Sequence, residues 1–219
     1  MSWEHWQAMI QLFVTLIISL TVHEAAHALF ALWGGDRTAY YAGQVTLNPI
    51  PHMRREPFGM IVLPLISIYM SHGSMCFGFA HAPIDAIWAY HHPKKAALMS
   101  AAGPLANVLL ATIAFAVLWF VGRPDSGTAA TVRSIAGVFL LLNLLLAVFN
   151  FIPLPPLDGA GIVSGLYPPA RGLYDAIQRI PYSFIVIFVL LMQVMPYLFG
   201  LVFNPINHLL PHPLPYRFG

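Results

Sequence analysis

Residues 8–33 read A-M-I-Q-L-F-V-T-L-I-I-S-L-T-V-H-E-A-A-H-A-L-F-A-L-W, and Glu24 is the one formal charge among them. Twenty-six residues of this character predict a helix long enough to cross a bilayer, which takes about 20. Inside it sit three groups that do not belong in hydrocarbon: His23, Glu24 and His27. An ionisable residue at membrane depth costs about 2.5–3.5 kcal/mol on insertion scales, so three together need a compensating partner. The H-E-x-x-H spacing names one. Positions i and i+4 share a helix face. Two imidazoles so placed can bind one zinc ion, and the neighbouring Glu can act as a base beside it.

The rest of the composition fits a membrane setting. Of 219 residues, 58% are hydrophobic and 8% charged, against about 25% charged in a soluble domain. Mean hydropathy is +0.72. The formal net charge of +2, spread over loops, argues against a nucleic-acid partner. A single cysteine, Cys76, excludes an internal disulfide and a cysteine-rich metal site. There is no Lys/Arg n-region ahead of the first span, so that span is expected to be retained rather than cleaved.

Three further stretches, 96–121, 134–152 and 182–203, are long enough to cross and contain no Asp, Glu, Lys or Arg. The predicted fold class is therefore an all-α polytopic membrane bundle of four to five spans. A fifth apolar stretch, 57–80, is broken by Pro57, Gly59, Pro64, Gly73 and Gly78. Broken segments at membrane depth line cavities or are buried in protein. If it re-enters instead of crossing, one face collects Arg37, Arg54, Arg55, Lys94, Lys95, Arg171 and Arg179, and the other only Arg123, Arg133 and Arg217. The positive-inside rule then makes the richer face cytoplasmic and the N-terminus external. Residues 41–47 and 75–80 leave room for a small β element. Residues 1–207 form one membrane domain in this scheme, and 208–219 a Pro-rich, extended tail. No sequence feature sets the oligomeric state.

A catalytic zinc takes three protein ligands and leaves a position open. The first helix offers two. Candidates for the third are Glu56, Asp85, Asp158, Asp175 and the other histidines, and Asp158 is the best placed. It follows the third span through Pro153, Pro155 and Pro156, which cannot continue a helix. Gly159 then lets the chain turn behind the carboxylate. Elsewhere, Ala101, Ala102, Gly103 and Ala106 form a small-residue face suited to close helix contact. Asn107 reads as an interhelical hydrogen-bond partner and Asn143 as packing. His72 and His81 read as structural.

Three of these elements, in this order, resemble the site-2 proteases, a family of intramembrane zinc metalloproteases. They are His23-Glu24-Ala25-Ala26-His27, Gly103-Pro104-Leu105-Ala106-Asn107, and Asn150 to Gly159, which matches the family's N-x-x-P-x-P-x-L-D-G at every fixed position. Pro57-Phe58-Gly59 resembles an element of small prokaryotic members. The similarity spans roughly residues 10–165, and the PDZ and CBS domains of some relatives are not present in this sequence. The resemblance implies one zinc per chain held by His23, His27 and Asp158. It implies Glu24 as general base and Asn150 as a holder of substrate or its oxyanion. The substrate would be a transmembrane helix of another membrane protein, cut within a prokaryotic plasma membrane on the cytoplasmic side of the bilayer. Such a helix must unwind before attack, and its freed backbone groups need partners. An edge strand at 41–47 or 75–80 could supply them. The competing expectation is a non-proteolytic metal-binding protein, a transporter or an inactive scaffold, in which Glu24 would be dispensable.

Overall fold

The computed structural model describes residues 3–73, 75–124, 126–216 and 218, with Glu4 and Phe184 described by backbone alone. Regular structure among the described residues is entirely helical. Four helices are long and apolar enough to span a membrane: His5–Gly34, Pro93–Val121, Gly127–Phe151 and Ile185–Leu209. The chain forms two compact units, Met1–Asp85 and Ala86–Gly219.

In the first unit, α1 (Trp3–Gly34) is followed by two short helices, α2 (Thr38–Tyr41) and α3 (Pro49–Arg55). Asn48 caps α3 by accepting from the Ile50 amide at 3.0 Å. A π-helical turn, Phe58–Val62, leads into α4 (Leu63–Met70). Pro64 explains the widened turn. It has no N–H for an ordinary helical bond, and the ladder shifts so that Leu63 donates to Phe58, five residues back.

The broken stretch re-enters. Phe58–Met70 is 13 residues, about 20 Å of helix against about 30 Å of hydrocarbon. The chain turns at Ser71–Gly73, where Gly73 has φ +82°. It then returns extended, and the Phe79 amide donates to the Gly59 carbonyl at 3.1 Å. A segment whose two ends meet does not cross. Gly59 must be glycine because a Cβ there would strike the Phe79 carbonyl and ring.

Neither expected strand forms. Residues 41–47 are a helical end and a turn: Gly43 has φ +69°, and the Gln44 amide folds back onto the carbonyls of Ala42 and Pro51. Residues 75–80 are extended in shape but pair with no strand.

In the second unit, α5 (Ala86–His91) precedes the long pair α6 (Pro93–Val121) and α7 (Gly127–Phe151). Then come α8 (Asp158–Leu166), α9 (Ala170–Arg179) and α10 (Ser183–Leu209). The third span starts earlier than its apolar run suggests. Arg133 lies inside α7, its guanidinium donating to the carbonyls of Gly122 and His212. The core joins Ala111, Ala114 and Leu118 of α6, Leu140 and Leu144 of α7, and Met195, Phe199 and Phe203 of α10.

The tail belongs to this core. Leu210 and Leu214 are buried in it, and the Phe218 ring meets Phe199 and Phe203 edge-on. Asn207 holds Leu214 by both backbone groups, at 2.8 and 3.0 Å, and Asn204 does the same to Phe218. Arg217, counted above with the sparsely charged face, lies outside the described residues.

One buried polar pair links α6 to α7. Asn107 Nδ2 donates to Asn143 Oδ1 at 2.8 Å, and Asn143 donates to the Phe139 carbonyl at 2.9 Å. Both side chains are fully buried. Asn143 is thus the acceptor of an interhelical bond, not simple packing. Its sequence gives no sign of this, because a lone Asn in a span carries no motif. Asn107→Leu should destabilise the protein by about 1–2 kcal/mol, since it removes the buried donor that meets Asn143 Oδ1. Asn107→Leu with Asn143→Leu should cost less than the sum of the two. Detergent-unfolding titration of both singles and the double reads this coupling.

Candidate active site

Helix α1 presents its three polar residues together. His23, Glu24 and His27 are buried, at 5%, 3% and 6% exposure. The Nε2 atoms of His23 and His27 stand 3.0 Å apart, with the rings at 80° to each other. One ligand atom from each of the three residues lies within 4.8 Å of the others. Among the described residues no other such group of three forms. Two nitrogens bound tetrahedrally to one zinc at about 2.0–2.1 Å stand roughly 3.3 Å apart. The imidazole pair is therefore close to the spacing zinc requires, and two imidazoles with carboxylate are a donor set zinc accepts. Glu24 Oε2 is buried with no hydrogen-bond partner. A carboxylate oxygen left so in a membrane helix is costly unless a cation or a proton serves it.

The other two sequence candidates lie in the second unit. Asp158 is the first residue of α8, and its Oδ2 is shielded from solvent. Gly159 serves a different purpose from the turn expected of it. It is helical, and a Cβ would strike the carbonyls of Phe151 and Ile152. Glycine here lets the start of α8 press against the end of α7, which fixes where the Asp158 backbone sits. Gly161 and Gly165 continue the contact, against Ser100 and against Pro93 and Ala97 of α6. Asn150, in the last turn of α7, donates Nδ2 to the Leu146 carbonyl at 3.0 Å.

The alternative ligands form no second cluster of three among the described residues. Asp85 and Asp175 are exposed. The Glu56 amide caps α3 through the His52 carbonyl. The His81 ring meets Phe79 at a 59° tilt, and its carbonyl accepts from Arg55 Nε at 3.3 Å. His72 sits at the re-entrant turn with φ +51°.

Asp36 has a structural role that no sequence pattern signals. It follows α1 and accepts from the Thr38 amide at 2.8 Å and the Asp85 amide at 2.9 Å. It thereby ties the exit of α1 to the end of the re-entrant segment, 49 positions on. Burial alone would raise its carboxyl, but the hydrogen bonds from Thr38 and Asp85 outweigh this and hold it below the usual range. Its folded pKa is depressed, so its stabilising contribution is present at neutral pH and fades as the pH falls through that value.

Fold and site together define a class: a multi-pass helical membrane protein with an H-E-x-x-H span. Residues 124–192 match the family described as Peptidase family M50. The chain is 37% identical over 185 residues to "Putative zinc metalloprotease YwhC" of Bacillus subtilis, covering 82% of this chain and 78% of that protein. It is 29% identical over 177 residues to "Putative zinc metalloprotease Rip2" of Mycolicibacterium smegmatis, covering 80% and 64%. The Rip2 of Mycobacterium tuberculosis H37Rv is 27% identical over 190 residues, covering 85% and 69%. No solved structure matches the chain significantly. The chain belongs to peptidase family M50, the site-2 proteases.

Proposed function

We propose that this chain is an intramembrane zinc endopeptidase that cleaves transmembrane helices of other membrane proteins, with zinc held by His23, His27 and Asp158. Family membership and the metalloprotease names of its relatives support proteolysis with zinc. The observation that carries the reading is the pair of buried Nε2 atoms 3.0 Å apart, beside a buried, unbonded carboxylate oxygen of Glu24, on a membrane-length helix. Counting crossings supports Asp158 as third ligand. With 57–80 re-entrant, α1 and α7 run in the same direction across the bilayer, so Asp158 follows a span that ends on the face where α1 ends. The charge asymmetry favours that face as cytoplasmic.

When bound, zinc supplies Lewis acidity toward a peptide carbonyl and lowers the pKa of water toward 7. The residues of the chain do the rest. Glu24 takes a proton from the attacking water and returns it to the departing amine. Asn150 gives one N–H of its Nδ2 to the Leu146 carbonyl, which leaves the second N–H and Oδ1 to hold substrate or its oxyanion. The extended stretch 75–80, and not the turn at 41–47, is the segment shaped to meet an unwound substrate backbone.

The test is reconstitution. The purified chain in lipid vesicles, given a single-span peptide, should cut it within its apolar stretch. A zinc chelator should abolish cleavage, and added zinc should restore it. An intact peptide with zinc-loaded protein would overturn the assignment.

A further inference from the structure

Among the described residues, the return limb of the re-entrant segment has its backbone bonds along one edge, mainly to hydroxyls. The Met75 amide donates to Ser71 Oγ at 2.9 Å, and Ser71 Oγ donates back to the Met75 carbonyl at 3.0 Å. The Phe77 amide donates to Ser67 Oγ at 2.9 Å. The Phe79 amide donates to the Gly59 carbonyl at 3.1 Å. The His81 carbonyl accepts from Arg55. Every partner on this edge meets an odd-numbered residue. In an extended chain the N–H and C=O of successive residues point to opposite sides. The backbone groups of Cys76, Gly78 and Ala80 therefore point the other way, and they bond to nothing among the described residues. None of these three is fully buried.

Ser67 lies in the last turn of α4 and Ser71 is its C-cap, four positions on, and both hydroxyls meet the ribbon. Ser67 Oγ gives its own proton to the Pro64 carbonyl at 3.0 Å, which leaves its lone pairs for Phe77. The two serines thus stand where a neighbouring strand's carbonyls would be in a sheet. The ribbon is also aimed. A Cβ on Gly73 would lie 3.0 Å from Met9, and one on Gly78 would lie 2.9 Å from Leu16 and 3.2 Å from Leu20. The limb therefore runs beside α1 toward its motif. Two further residues, at about 3.3 Å each, bring Ala80 level with roughly one more turn of α1, near Val22 to Glu24.

We infer that Ser67 and Ser71 are positioning residues for the peptidase. Their hydroxyls pin the ribbon 75–79 straight, so that Cys76, Gly78 and Ala80 offer an open edge to the unwound backbone of the substrate helix. This rests on the proposed peptidase reading. Sequence could have suggested it only through the S-x-x-x-S spacing in a broken apolar stretch.

The test uses the full chain in vesicles with a single-span peptide. Ser67→Ala with Ser71→Ala should raise KM by roughly tenfold, from three hydrogen bonds lost to the ribbon, with kcat within about twofold and zinc content unchanged. Amide exchange at 75–79 should speed up in the double variant, and Ser71→Thr should retain the parent KM. Cys76, the single cysteine of the chain, reports docking directly. In the Glu24→Gln background, a peptide with one cysteine near its scissile bond should form a disulfide with Cys76 under oxidation, and the double alanine variant should lose it. Unchanged KM and exchange in the double variant would overturn the role of the serines. An active parent that never cross-links would overturn the docking edge while leaving the peptidase intact. A cross-linked but uncleaved peptide in zinc-loaded parent would instead overturn the peptidase reading, and the positioning role with it.

Discussion

Glu24→Gln should lower cleavage by at least about 10²–10⁴-fold while zinc stays bound. Gln keeps the size of the side chain and one of its oxygens but cannot take a proton. Glu24 Oε2 already lacks a hydrogen-bond partner, so the substitution breaks no hydrogen bond at that atom. Fold stability should therefore hold or rise slightly, because a buried carboxylate is costlier than a buried amide. The decisive measurement is the ratio of cleavage to bound zinc in matched preparations. A transporter or scaffold needs no base beside its first ligand, so full activity of Glu24→Gln in a metal-dependent assay would favour that alternative. Loss of zinc together with cleavage would instead make Glu24 a ligand.

Asp158→Ala should cut zinc affinity by more than the 10–100-fold that loss of an outer-shell partner costs, according to the usual range. Two imidazoles alone would remain, which is one donor short of a catalytic site. Purified wild type should carry about one zinc per chain, and the variant much less at the same free zinc concentration. Helix α8 should survive, because its seat on α7 and α6 depends on Gly159, Gly161 and Gly165 and not on the carboxylate. Circular dichroism and size exclusion can verify that. Asp158→Ala with wild-type zinc content would remove Asp158 from the ligand set and return Glu56, Asp85 and Asp175 to consideration.

Parts of this molecule were legible from sequence because a bilayer makes certain residues conspicuous. A Glu that is the one Asp, Glu, Lys or Arg between positions 5 and 35 has few bland explanations, so His23, Glu24 and His27 stood out. The four spans were legible for the same reason, through length and the absence of charge. Their ends were not. Arg133 ended the apolar run, yet it lies inside α7 because two backbone carbonyls receive its guanidinium. The re-entrant path was suggested by Pro57, Pro64 and Gly73, but the decisive fact is the meeting of Gly59 with Phe79, a contact across 20 residues. The missing strand at 75–80 is instructive. Its residues are extended as their composition suggested, but the partners are serine hydroxyls, which no pattern of alternation reveals. Asn143 and Asn207 show the same limit. A buried amide finds its partner in tertiary structure, and its own neighbours in sequence do not announce which.

The clasp at Asn204 and Asn207 also bears on assembly during synthesis. Helices α6 and α7 emerge in succession, so Asn107 and Asn143 can pair as soon as both enter the bilayer, and neither amide waits long in lipid. The α7 surface around Leu140 and Leu144 must wait for α10 and for Leu210 and Leu214, which leave the ribosome more than sixty residues later. Acyl chains can cover that surface in the interval, since it is apolar. The polar bonds of the helical hairpin thus form early between consecutive elements, and the late-arriving pieces join through contacts that lipid can imitate until they come.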